Sequence, residues 1–180
     1  MPSFELIPHP ASVPAAPTFK VWVNVDRSAA FGRSATLNLF FCVGAPAARF
    51  VIPQSTTPVR RDELWRTTCF EAFLRQDGKA AYDEWNFAPS LAWAAYAFSA
   101  PRTDMAPAEV KAEPYIRVED NLSWWALGAT IAIPAAATFD LGLSAVIEEQ
   151  DDHKSYWALA HPNGPPDFHD PTCFLARLSE

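Results

Sequence analysis

Leu64-Trp65-Arg66-Thr67-Thr68-Cys69-Phe70-Glu71-Ala72-Phe73-Leu74 sets one carboxylate, Glu71, inside an apolar, β-prone run, six residues after an indole. A strand sends alternate side chains to opposite faces, so Phe70, Ala72 and Leu74 share one face. Cys69, Glu71 and Phe73 then share the other. An unpaired carboxylate is costly to bury, so Glu71 in such surroundings requires a partner or a ligand.

The same period-two alternation recurs on either side of this run. Phe19, Val21, Val23 and Val25 fall on one face, with Lys20, Asn24 and Asp26 on the other. Ala35, Leu37, Leu39, Phe41 and Val43 repeat the pattern, as do Leu141, Leu143, Ala145 and Ile147. Segments 122–133 and 173–178 also read as strands. Seventeen prolines but only six glycines cut the chain into short pieces, which disfavours long helices. Helical spacing is weak throughout, with one helical turn expected near Ala106–Ala112. Ser144–Glu148 and Ser155–Leu159 flank a polar centre and read as a hairpin, whose acidic cluster (Glu148, Glu149, Asp151, Asp152) reads as a solvated tip. The expectation is an all-β chain: a two-sheet antiparallel β-sandwich, immunoglobulin- or jelly-roll-like, with short helical turns. It forms a single domain over 1–180, led by a proline- and alanine-rich segment, 1–17.

Composition narrows the partners. With 49% hydrophobic and 19% charged residues the chain is globular, and 180 residues suffice to bury a core. A net charge of −7 without a basic stripe argues against nucleic acid. No apolar run approaches the ~20 residues of a membrane helix. Cys42, Cys69 and Cys173 are too dispersed for a zinc site and read as reduced structural thiols. No secretory leader is visible, so a cytoplasmic location is expected. The sequence names no protein partner and calls for no cofactor.

Catalytic motifs are missing: there is no GxSxG, HExxH, phosphate-binding loop or GxGxxG, and Ser144 and Ser155 have no evident base. His161 and His169, the latter flanked by Asp167 and Asp170, are weak metal candidates that read better as parts of a proline-ordered loop. Aromatic residues are concentrated. Among Trp65, Trp85, Trp93, Tyr96, Trp124, Trp125 and Trp157, most belong in a core, and adjacent Trp124 and Trp125 must face opposite ways on a strand. Trp65 is the ring expected at the surface. Indole faces stack on sugar C–H faces, while carboxylates and amides bond hydroxyls.

Leu64-Trp65 with Cys69–Leu74, followed by Tyr82-Asp83-Glu84-Trp85-Asn86-Phe87-Ala88-Pro89, resembles the core signature of DOMON-like domains related to type 9 carbohydrate-binding modules, in their bacterial stand-alone subgroup. Ser155-Tyr156-Trp157 through Asp167-Phe168-His169-Asp170-Pro171 to Phe174 resembles the family's closing segment. The resemblance implies a β-sandwich and a non-catalytic module recognising a saccharide. It gives Trp65 the stacking role and Glu71 the hydroxyl contacts, with Asn86 adding an amide and Trp157 or Trp125 a second ring. Other members hold haem through Met with His or Lys, which here would mean Met105 with His161 or His169. A protein-interaction sandwich with no small ligand is the remaining alternative.

Overall fold

A computed structural model describes residues 1–12, 18–54 and 56–179. Alternating side chains along the chain build thirteen strands: β1 (Ser3–Pro8), β2 (Val21–Phe31), β3 (Ser34–Val43), β4 (Val59–Arg60), β5 (Cys69–Gln76), β6 (Tyr82–Phe87), β7 (Ala92–Phe98), β8 (Ala106–Pro107), β9 (Tyr115–Asp120), β10 (Trp125–Pro134), β11 (Phe139–Glu148), β12 (Lys154–Ala158) and β13 (Ala176–Leu178). Three 3-10 turns, Ala47–Arg49, Leu64–Arg66 and Pro171–Cys173, interrupt them, and no α-helix occurs among the described residues. The all-β expectation therefore holds. The 106–112 segment makes no helical turn. Pro107 has no N–H to continue one, and β8 instead pairs with β7, Ala108 N–H donating to Ala95 O at 2.9 Å.

One ladder joins these strands, in the order β4-β7-β6-β5-β11-β12-β1-β2-β3-β10-β9, with β13 on β11 and β8 on β7. Pairing is antiparallel except at β4–β7, so the sheet is mixed. The link between its halves is β1: Ser3–Leu6 pair with β2, while Ile7 and Pro8 pair with β12. Two separate sheets were expected; the described ladder is continuous and curls so that its two arms face each other. Within the leading segment Ser3–Pro8 contributes strand β1 to the ladder, and 13–17 lie outside the described residues.

The faces that meet are the apolar ones. Val21, Val23, Leu39 and Phe41 come from one arm, and Phe70, Ala72, Phe87 and Ala145 from the other, all in one buried cluster. Phe41 stacks on Phe70 at 5.0 Å and an interplanar angle of 27°, and Phe70 also meets Trp125 at 5.5 Å. A second cluster covers the opposite side of β5–β7, where Cys69, Phe73, Tyr82, Tyr96 and Phe98 pack with Phe174. Strands β5 to β7 are consequently buried on both faces, which explains their nearly unbroken apolar sequence. Phe70, Ala72 and Leu74 enter the first cluster and Cys69 and Phe73 the second, the division that alternation predicts. All three cysteines are buried and unpaired. No helix among the described residues is long and apolar enough to cross a membrane.

Gly142, on β11 opposite Phe73, leaves room for the closing segment. A Cβ there would lie 2.7 Å from Phe174 Cδ1 and 3.2 Å from Phe73 Cβ. Gly142→Ala is expected to destabilise the fold by about 1–3 kcal/mol through overpacking, measured by urea denaturation. Gly78→Ala is the contrasting case: nothing lies near its Cβ, and the cost comes only from its φ of +72°.

Candidate ligand-binding pocket

The strand pairings bring the polar residues of the second arm onto one face. Glu71 lies opposite Asn86 on β6 and Ser144 on β11, and Glu84 lies between Phe73 on β5 and Tyr96 on β7. Glu71, Glu84 and Asn86 are 3%, 4% and 0% exposed, so two carboxyls and an amide are buried side by side. Above them opens a cavity of about 410 Å³ lined by Trp65, Glu71, Glu84, Tyr96, Tyr156 and His169, among others. A groove of about 490 Å³ elsewhere, lined by Lys79, Trp85, Glu109 and Phe139, gathers no buried carboxyl or amide.

Each floor residue is held by its neighbours. Ser144 Oγ donates to Glu71 Oε2 at 2.9 Å, and Asn86 Nδ2 donates to Glu84 Oε1 at 2.5 Å. Asn86 accepts from the Cys69 thiol at 3.4 Å, which fixes its amide below the carboxyls. Tyr82 OH and His169 Nδ1 share a hydrogen bond of 2.7 Å, while His169 Nε2 faces Glu84 Oε2 at 3.6 Å. Arg66 and Arg75 do not reach Glu71: Arg66 pairs with Glu63 at 2.9 Å and Arg75 with Asp140 at 3.1 Å.

The electrostatics follow from this geometry. Burial, then the Glu84 charge, push the Glu71 carboxyl up to about 8, against the Ser144 hydrogen bond and the more distant Arg102. Glu84 is also raised by burial, opposed by Asn86 and Arg102. Burial and Arg102 lower His169 to about 4, leaving a neutral imidazole at pH 7. Ser144 therefore has a carboxyl neighbour that sequence reading missed, one whose pKa burial raises.

Loops complete the rim. Trp65 sits in the Leu64–Arg66 turn, 43% exposed, with the Arg66 guanidinium 5.1 Å from its ring centre. Arg102 adopts the left-handed region at φ 56° and pairs with Asp167 at 2.7 Å; Glu63, just ahead of Trp65, has φ 61°. Such backbone is strained for residues with a side chain, and both instances border the pocket.

Of the residues singled out by sequence, Trp65 and Glu71 line this pocket and Asn86 lies beneath it. Trp125 and Trp157 do not. They are 0% and 2% exposed in the core between the arms, Trp157 against Phe19 at 5.1 Å, and neither can offer a face to a ligand. The cause is strand parity: both rings fall on the inward-facing positions of β10 and β12. Trp124 is the half-buried one of its pair. His161 and His169 part company. His161 Nε2 contacts Ile7 O at 2.8 Å and its ring meets His9, whereas His169 joins the pocket. No group of three potential metal ligands forms among the described residues. The acidic hairpin tip dissolves into separate ion pairs, Arg49–Glu149 at 2.5 Å and Lys154–Glu148 at 3.6 Å among them. Met105 lines the pocket with His169. Sequence reasoning passed over Glu84, although alternation puts it on the face of Tyr82 and Asn86. Nothing local marked Arg102.

No protein-family model matches the chain, and no curated protein matches it. Among solved structures, it resembles a protein from Bacteroides uniformis ATCC 8492 that is provisionally named carbohydrate-binding. The match covers 97% of this chain and 84% of that one, at 15% identity and a TM-score of 0.60. At that identity the likeness is one of fold.

Proposed function

We propose that the protein is a non-catalytic module that binds a saccharide in the pocket over Glu71 and Glu84. The observation that carries this reading is the half-exposed indole of Trp65 on the rim of a cavity floored by two buried carboxyls. An indole plane provides the stacking surface for a sugar ring, and carboxyls are the acceptors and donors its hydroxyls need. The fold shared with a protein provisionally named carbohydrate-binding supports it. On this reading the two arms act as the layers of the β-sandwich implied by DOMON-like and type 9 modules, within one cytoplasmic domain.

Binding rather than catalysis fits the floor. Glycoside hydrolysis places its two carboxyl groups on either side of the scissile bond. Glu71 and Glu84 project from one face of adjacent strands, so a ligand meets both from the same side. Haem ligation through Met105 and His169 would require His169 to abandon Tyr82 and turn away from Glu84, since both ring nitrogens face partners.

A glycan array identifies the saccharide, and calorimetric titration compares the native chain with Trp65→Ala. The variant is expected to bind more weakly by about 1–3 kcal/mol, as for truncation of an aromatic anchor. Unchanged affinity would remove Trp65 from the site. An array without hits, alongside a concentration-dependent mass in sedimentation, would favour the interaction-domain alternative.

A further inference from the structure

Neither floor carboxyl is ion-paired to a lysine or arginine among the described residues, although Arg102 also lines the pocket and acts on both from longer range. The basic side chains near the pocket are committed elsewhere: Arg102 to Asp167 at 2.7 Å, Arg66 to Glu63 at 2.9 Å and Lys154 to Glu148 at 3.6 Å. Among the described residues no lysine or arginine lies within ion-pair distance of Glu71 or Glu84, and the one basic group facing Glu84, His169, is neutral at pH 7. The hydroxyls nearby are also occupied. Tyr96 OH donates to Asp62 at 2.7 Å, and Tyr82 OH is engaged with His169. Glu71 Oε2 accepts from Ser144, while its Oε1, in a side chain that lines the cavity and is almost wholly buried, accepts no hydrogen bond among the described residues.

We propose, resting on the saccharide reading, that the pocket selects an amino sugar, whose free primary ammonium docks between Glu71 and Glu84. Arg102 acts on both carboxyls only from longer range, and burial outweighs it in raising both, so a proton remains on the pair. An ammonium group substitutes for that proton. It brings three N–H donors to a floor rich in acceptors, including the vacant Glu71 oxygen and Glu84 Oε2. Charge balances when Glu71 releases its proton to the buffer as the ammonium enters. A hydroxyl or an acetamido group at the same position brings no charge and leaves the proton in place. The chain's net charge of −7 favours the approach of a cationic ligand.

The test is calorimetric titration of the full chain with glucosamine and galactosamine, their N-acetyl forms, the parent hexoses and methylammonium. Each runs at pH 6.5, where the amino sugars are almost wholly in the ammonium form, in phosphate and in MOPS, whose ionisation enthalpies differ and neither of which is a primary ammonium. An amino sugar is expected to bind at least tenfold more tightly than its acetylated and hydroxyl counterparts. Its apparent enthalpy should differ between buffers in proportion to a proton released. Glu71→Gln, close in shape, should abolish both the preference and the buffer difference, with Glu84→Gln as the second variant and circular dichroism checking the fold of each. Equal binding of all three sugar forms without a buffer effect would overturn the inference and leave the saccharide reading standing. Binding of methylammonium as tightly as any amino sugar would keep the cation site and overturn the saccharide reading. Failure of every probe to bind overturns the inference.

Discussion

Phe70→Ala lowers the unfolding free energy by about 3–5 kcal/mol, the cost of deleting a buried aromatic ring and leaving a cavity. Phe70 is the point where the two arms of the curled sheet touch. It is fully buried, stacks on Phe41 of the facing arm at 5.0 Å and meets Trp125 at 5.5 Å. Its neighbours sit on paired strands and cannot collapse into the space without moving the sheet, so the cost should fall at the high end. Phe40 provides the control, because it points to the outer face of β3, half-buried, with the Arg117 guanidinium 5.6 Å from its ring centre. Phe40→Ala should cost about 1 kcal/mol, as for a partly exposed cation–π partner. Urea denaturation measures both. Comparable losses would mean that the arms are not joined through Phe70.

The second large effect is a loss of stability between pH 6.5 and 8.5. A carboxyl whose folded pKa exceeds its unfolded value binds more protons when folded. Its contribution is present at low pH and lost as pH climbs through the folded pKa. Glu71 does this between its ordinary 4.5 and about 8, with Glu84 shifted in the same direction. His169 acts oppositely: lowered from 6.5 to about 4, it gains the fold stability as pH rises across that interval. His161, lowered as well, acts with His169, so the histidines offset the raised carboxyls below pH 6.5, and above it the carboxyls are left alone. The lowered Asp77, Asp140 and Asp167 act only in more acid solution, and the raised cysteines and tyrosines only in more alkaline solution. Thermal melts should lose about 2–4 kcal/mol across the window, by the linkage between pKa shift and stability. Glu71→Gln should flatten this slope and melt higher than the native chain at pH 8.5. An unaltered slope in the variant would assign the loss to another group.

Much of the fold was legible because strands exposed on one face write their period into the sequence. Val21-Val23-Val25, Leu37-Leu39-Phe41 and the 144–159 hairpin all appear where alternation put them. Two features were not legible. The join through Ser3–Pro8 depends on one short segment pairing with different strands along its length, which only the assembled sheet decides. The inward placement of Trp125 and Trp157 depends on which strand parity faces the core, and a strand buried on both sides does not announce it. The site was legible in part. Glu71 stood out because it broke an apolar run and Trp65 because charged residues flank it. Glu84 was hidden in a motif rich in polar residues. Arg102 and His169 reach the pocket from loops, through tertiary contacts with Asp167 and Tyr82 that no local pattern encodes.

The central claim, that the pocket over Glu71 and Glu84 is the ligand site, is tested most directly by the indole N–H signals of the ¹⁵N-labelled protein during titration with a saccharide. The Trp65 signal, assigned by its absence in Trp65→Phe, should shift and saturate with the calorimetric affinity. The buried Trp125 and Trp157 indoles should stay in place. A saccharide that binds while the Trp65 signal remains unmoved would contradict the account.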